Sequence, residues 1–414
     1  MQTHLAPEFR DTARGQEAEA ILRKCVHCGF CTATCPTYQL LGDELDGPRG
    51  RIYLMKQVLE GATPTRATQQ HLDRCLTCRN CESTCPSGVD YGHLVDIGRK
   101  LVDAKVPRPA SEQAVRWLLK EGLPSPLFGP AMKLGQLVRP LLPAALKNKV
   151  PAPQNAGAWP TRTHARKVLM LAGCVQPAMM PNINSATARV LDVAGIQTVV
   201  AEEAGCCGAI RSHLGDHEGG LADMRRNIDA WWPLVDGLTS EGTVEAIVMN
   251  ASGCGVQVKD YGHALAGDAA YAEKAARISS LTRDLSELLP EIVAVLKPRM
   301  ADAQPGSLAF HPPCTLQHGQ QLRGGVEQHL GALGFTVQLA PAESHLCCGS
   351  AGTYSVLQPE LAGQLRERKL GHLGALQPAA ILSANIGCIT HLQGGTATPV
   401  RHWIELLDEA LNGS

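Results

Sequence analysis

The sequence predicts a multidomain protein in which a small N-terminal helical module precedes a duplicated α/β domain with parallel sheet units. Three observations carry that expectation: two copies of one tight cysteine pattern between residues 25 and 86, a proline-rich break after residue 106, and a longer repeat in the C-terminal half.

A short helix over 15–24, with Ala18, Ile21 and Leu22 on one face, delivers the chain to the first cysteine loop. There Cys25, Cys28, Cys31 and Cys35 followed by Pro36 read C-x-x-C-x-x-C-x-x-x-C-P, and Cys75, Cys78, Cys81 and Cys85 followed by Pro86 repeat the pattern. Three thiolates at every third residue wrap one iron–sulfur cube from a single loop. The fourth lies too far along the chain to close the same cube and reaches across to the other. The expected ligand sets for two [4Fe-4S] clusters are therefore Cys25, Cys28, Cys31 and Cys85, and Cys75, Cys78, Cys81 and Cys35. Structural zinc favours separated C-x-x-C pairs over this run of four, and a disulfide framework is the weaker alternative still.

Between the loops, Asp46 is placed to cap a helix whose first turn accepts Pro48, and Ile52, Met55, Val58 and Leu59 recur at helical spacing until Gly61. Arg49 and Arg51 then sit near a helix start, where a guanidinium either favours a reduced cluster or is simply solvated. His27, inside the first loop, faces solvent or tunes its cluster through a hydrogen bond. Helices over 66–74 and 92–104 complete a helical ferredoxin-like two-cluster domain over 1–110.

From 111 to 165 frequent prolines break the chain into a connector with a few short helices. Within it Leu127-Phe128 and Met132 to Leu142 combine apolar residues with Lys133 and Arg139, a patch that rests on a membrane surface or packs on a neighbour.

The C-terminal half repeats itself. The strand-like run Lys167-Val-Leu-Met-Leu-Ala-Gly-Cys174 matches Ser307-Leu-Ala-Phe-His-Pro-Pro-Cys314, Gly205-Cys-Cys-Gly208 matches Leu346-Cys-Cys-Gly349, and apolar strands from Ala246 and Ala380 run into Cys254 and Cys388. Helices around 221–232 and 361–373 intervene in both copies. Strands alternating with helices argue for parallel sheets, which gather their ligand sites at the carboxyl edge. The expected boundaries are 166–262 for the first cysteine-rich repeat, 263–305 for a helical joint and 306–414 for the second repeat.

All sixteen cysteines are thereby assigned, eight to the loops and four to each repeat. Cys174, Cys206, Cys207 and Cys254 form one candidate cofactor set, and Cys314, Cys347, Cys348 and Cys388 the other. Four thiolates suit an iron–sulfur cluster or zinc almost equally, and simple structural thiols remain the alternative. His311, His345, His213, His318 and His391 lie close by in sequence as candidate ligands or proton carriers.

Composition removes other classes. A net charge of −1 and 4% aromatic residues leave neither a basic footprint nor stacking platforms for nucleic acid. Residues 1–16 lack an apolar signal region and no run approaches a spanning helix, so a cysteine-rich chain of this kind is expected in the cytoplasm, with any membrane contact peripheral on the inner face.

The repeats resemble the cysteine-rich CCG domain of heterodisulfide reductase subunits, whose repeats close with C-x-x-C and hold non-cubane clusters. Here Ala251 and Asn385 stand where the first cysteine of that closing pair would be. The chain as a whole resembles the iron–sulfur subunits of bacterial glycolate oxidases, also called glycolate dehydrogenases. Its likeness rests on the strings at 25–38, 43–53, 227–232, 314–318, 344–354 and 401–405. The resemblance implies an electron-transfer subunit whose flavin-containing partner subunits oxidise glycolate to glyoxylate and whose acceptor is a membrane quinone. In agreement, no G-x-G-x-x-G stands between a strand and a helix, so this chain has no hydride-accepting fold of its own. The alternatives are the equivalent subunit for glycerol 3-phosphate or lactate, a thiol–disulfide reductase working at the repeat cysteines, and a zinc-stapled scaffold.

Overall fold

Residues 1–143, 147, 150–238, 242–300 and 306–412 are described by the computed structural model; stretches 144–146 and 148–149 of the expected connector and 301–305 of the expected joint lie outside the described residues. The N-terminal module is helical. Helices Ala13–Lys24, Pro48–Leu59, Arg66–Asp73 and Tyr91–Lys105 enclose a core that includes Ile21, Leu22, Ile52, Met55, Leu72 and Leu94. The second and fourth of these helices approach closely at Gly98, where an added Cβ would stand 2.4 Å from Met55 Sδ.

Asp46 departs from its expected role. Gly47 takes the N-cap position without a side-chain bond, and the Asp46 carboxylate turns inward. It is buried with Arg51, accepting from Arg51 Nη2 at 3.3 Å and from Arg74 Nη1 at 2.8 Å. A carboxylate this deep must be paired with cations, so it serves the interior rather than the helix end.

Helices Ala110–Gly122 and Phe128–Leu137 follow, after which 151–165 has no regular element. Two four-stranded sheets come next, parallel throughout. Strands β1 (Arg166–Met170), β2 (Ile196–Val199), β3 (Ala246–Met249) and β4 (Thr282–Asp284) take the order β2-β1-β3-β4. Strands β5 (Ser307–Phe310), β6 (Thr336–Leu339), β7 (Ala380–Ser383) and β8 (Val400–His402) take the order β6-β5-β7-β8. The registers correspond: Val168 faces Ala246 and Thr198, as Leu308 faces Ala380 and Val337. The central strands read as unbroken apolar runs because both faces are covered. Val168 and Val248 face one core while Leu169, Ile247 and Met249 face another with Trp231. Between 263 and 305, Ala272–Leu281 and Leu289–Leu296 are helices, and β4 between them pairs in parallel with β3.

The repeats share a core. Val168, Val190 and Ile196 of the first belong to one apolar cluster with Phe310, Ile381 and Trp403 of the second. Helix Asn182–Val193 lies along the C-terminal helix Trp403–Asn412. Across that seam Arg189 donates to both oxygens of Asp408, at 2.6 and 3.1 Å to Oδ2 and 2.8 Å to Oδ1, and to the Ala156 and Ala158 carbonyls. Among the described residues no helix is long and apolar enough to cross a membrane.

Arg189→Ala removes charge-assisted bonds to a carboxylate that is 6% exposed. It is expected to destabilise the paired repeats by about 2 kcal/mol, read as a lower denaturant midpoint by fluorescence of the buried Trp403.

Candidate metal centres

The two cysteine loops have the same local shape. Helix Ala13–Lys24 ends at Cys25 and Arg66–Asp73 just before Cys75, so each loop leaves a helix terminus with its first thiol already inside. Within the loops His27 and Gly29 adopt φ of 57° and 85°, and Thr77 and Arg79 adopt 52° and 57°. Left-handed residues at matching places turn backbone N–H groups toward sulfur, and Thr77 N donates to Cys75 Sγ at 3.4 Å. Short helices Phe30–Ala33 and Asn80–Thr84 carry Cys31 and Cys81 and pack on each other. Pro36 opens helix Pro36–Leu41 directly after Cys35, sending the fourth thiol away from its own loop.

Two small cavities result. One is lined by Cys25, Cys28, Cys31 and Cys85, with Cys81 at its edge. The other is lined by Cys35, Cys75, Cys78 and Cys81, with Arg51, Thr37 and Tyr91. The thiols act on one another in these same groups. Burial pushes Cys31 up to about 11, with Cys25, Cys85 and Cys28 adding to it. Burial likewise drives Cys81 up, reinforced by Cys78, Cys75 and Cys35. Such thiols ionise together only beside a positive centre, which makes each pocket a fitting seat for an iron–sulfur cluster.

The arginines divide. Arg51 is buried, donates to Thr37 Oγ1 at 3.1 Å and borders the second cavity; burial alone would lower its pKa, but Cys75, Tyr91, Cys35 and Asp46 together raise it. Arg49 is half exposed, pairs with Glu44 at 2.6 Å and edges the first cavity. His27 lines the first cavity, and its Nε2 has no hydrogen-bond partner among the described residues.

In the repeats the four cysteines of each set stand beyond the carboxyl ends of their sheets and meet side by side. In the first, the thiols act on one another: Cys174 and Cys207 hold Cys206 below the usual thiol range, while Cys206 and Cys254 push Cys207 up. In the second, Cys314 meets Cys347, Cys347 meets Cys348, and Cys348 meets Cys388. Gly349, at φ 90°, brings its backbone against Ala362, leaving no room for a Cβ, which would stand 2.5 Å from the Ala362 oxygen. Ala251 and Asn385 take the N-cap positions of helices Ser252–Lys259 and Ile386–Gln393, and Asn385 spends its side-chain oxygen on Gly387 N at 3.0 Å.

One juxtaposition is invisible in the sequence. Cys78, a member of the second loop, packs with Cys314 of the second repeat and helps push that thiol up. Around it Asn80 donates to the His345 carbonyl at 3.2 Å, Tyr354 to the Arg74 carbonyl at 3.2 Å, and Ser83 Oγ lies 2.9 Å from His318 Nδ1. His318 is thus a seam residue, its other nitrogen donating to the His345 carbonyl at 2.8 Å, and burial pulls it down to about 4. His391 lies 3.1 Å from the Ala362 carbonyl through Nε2. His213 is exposed and His345 half-buried. His311 alone of these histidines is grouped with thiols, beside Cys348 and Cys388.

Sulfur grouped in this way belongs to an iron–sulfur protein with a dicluster module at its amino end and a duplicated cysteine-rich domain behind it. The 4Fe-4S dicluster domain family matches residues 21–89, and the cysteine-rich domain family matches 168–259 and 308–393. The chain is 55% identical over 413 residues, 99% of both chains, to the glycolate oxidase iron-sulfur subunit of Escherichia coli (strain K12). It is 29% identical over 94% of its length and 91% of the other's to a Bacillus subtilis (strain 168) protein named as a probable subunit of the same kind. Lactate utilization protein A of Geobacillus thermodenitrificans is 24% identical over 58% of this chain and 98% of its own. The chain therefore belongs to the family of glycolate oxidase iron–sulfur subunits.

If the fourth cysteine of each loop crosses over, Cys35→Ser extinguishes the same dithionite-reduced EPR signal as Cys75→Ser, and Cys85→Ser the same one as Cys25→Ser, each variant keeping about half the wild-type iron. A signal shared by Cys35→Ser and Cys25→Ser contradicts the crossing.

Proposed function

We propose that this chain is the electron-carrying subunit of a complex in which flavin-containing partners oxidise glycolate to glyoxylate and a membrane quinone is the final acceptor. The observation that carries the reading is the placement of the two loop sets. One opens on the surface at Cys28, which is exposed beside Val26 and Phe30, while the other packs its half-buried Cys78 against the second repeat. A pair of redox seats with one outward face suits a conduit between partners, and the full-length relationship to the Escherichia coli subunit supports glycolate as the fuel.

In this reading Cys25, Cys28, Cys31 and Cys85 hold one [4Fe-4S] cluster, and Cys75, Cys78, Cys81 and Cys35 the other. Bound clusters supply one-electron redox capacity, which a flavin that takes up two electrons at once needs downstream. The protein's own contribution is to bury four of the eight thiols and half-bury three more, leaving Cys28 exposed, and to place the Arg51 guanidinium where added negative charge is stabilised. The cytoplasmic face of the membrane is the proposed location. Leu127, Leu134, Leu137 and Leu141 on the connector are each more than half exposed beside Lys133, a composition suited to peripheral contact.

The test uses the assembled complex. Cys28→Ser is expected to abolish quinone reduction while glycolate still bleaches the partner flavin in a stopped-flow trace. Failure of flavin reduction in an intact assembly contradicts this division of labour, and faster turnover with lactate or glycerol 3-phosphate than with glycolate contradicts the assigned fuel.

A further inference from the structure

His311 sits at the carboxyl end of β5 and is 1% exposed, yet neither ring nitrogen has a hydrogen-bond partner among the described residues. Its backbone is pinned on both sides, the N–H donating to the Leu382 carbonyl at 2.8 Å and the carbonyl accepting from Ser383 Oγ at 3.0 Å. A buried imidazole left without partners has lost its bonds to water and gained none, so a fold that holds the ring this firmly implies a missing partner. What the ring faces is sulfur: one nitrogen of His311 and the Sγ atoms of Cys348 and Cys388 all lie within 4.8 Å of one another. Cys347 adjoins Cys348 and is buried with it.

We propose that the second repeat binds one zinc ion through His311, Cys347, Cys348 and Cys388, a site of three thiolates and one imidazole that the first repeat cannot form. Tetrahedral zinc with bonds of ~2.0–2.3 Å separates its ligand atoms by ~3.4–3.8 Å, so small side-chain movements close His311, Cys348 and Cys388 on an ion, and Cys347, next to Cys348 in the chain, turns in as the fourth ligand. Three thiolates with one imidazole is a common structural zinc set, whereas cubane clusters are held by thiolates in the main. The charge balances as well. Lys369 is 2% exposed, directs Nζ to the Glu343 and Ser344 carbonyls, and faces Cys314, Cys348 and Cys347. A divalent ion, three thiolates and one ammonium sum to neutrality, which a buried site requires. At the matching place in the first repeat, counting back from the paired Cys314 and Cys174, stands Leu171, itself buried and unable to bind metal. The two repeats therefore differ in their ligands although their sheets match. Cys314 stays outside the zinc set, between Cys347 and Cys78.

The full-length protein, purified anaerobically from zinc-supplemented cells, is analysed for iron and zinc and by zinc K-edge X-ray absorption. The wild type is expected to carry zinc whose first shell contains nitrogen as well as sulfur. His311→Gln is expected to lose one zinc per chain with iron and EPR signals unchanged, and His311→Cys to keep that zinc in an all-sulfur shell. A wild type free of zinc, a wild-type zinc shell of sulfur only, or full zinc retention by His311→Gln overturns the proposal. Should His311→Gln not accumulate, the wild-type shell and the His311→Cys protein decide it. Iron and EPR signals report on the loops separately, so failure here is distinct from failure of the electron-transfer reading.

Discussion

Buried thiols set the terms for this molecule. A sulfur withdrawn from water resists ionisation, and several packed together resist it more, so each close group calls for a positive centre. Cys31 and Cys81 display both effects, pushed up by burial and then by their neighbours. The surrounding structure answers the same demand with fixed charge: Arg51 lies against the second loop set and Lys369 against the second repeat. Asp46 belongs to this scheme too, because a guanidinium as deep as Arg51 itself needs a carboxylate.

The two repeats share a topology and diverge in use. Each places its thiols beyond the carboxyl edge of a parallel sheet, the position at which α/β folds assemble sites. The second turns its cysteines to the loop module, where Cys314 packs with Cys78 and Tyr354 reaches Arg74. The first meets the module through polar contacts away from its cysteines. His93 pairs with Asp260 at 3.1 Å and stacks on His263, which in turn pairs with Glu17 at 2.8 Å. A chain that duplicates a domain and sets the thiols of one copy against the loop module has made the copies inequivalent, and a conduit with one covered and one open end fits that asymmetry.

Much of this was legible from residue order. The loop ligands are set by spacing within a dozen residues, and the left-handed turns at His27 and Thr77 lie inside the pattern itself. The helices from Pro48 and Tyr91 follow from apolar periodicity, and the central strands from short apolar runs. Less legible were β4 and β8, each three residues long and carrying an arginine, Thr-Arg-Asp and Val-Arg-His. Their strand character comes from a neighbour's free edge rather than from their own composition. Asp46 read as a cap because short-range rules see a helix start and not the two arginines that fold back on it.

The sequence by itself determined that eight cysteines fall into two matching loops and that the C-terminal half is built twice, because both statements depend on spacing along the chain. Tertiary structure decided which repeat meets the loops, that Arg51 is inside while Arg49 is half out, and that His311 among several nearby histidines is the one left facing sulfur. Those outcomes depend on how distant surfaces pack and exclude water, and no local pattern encodes them.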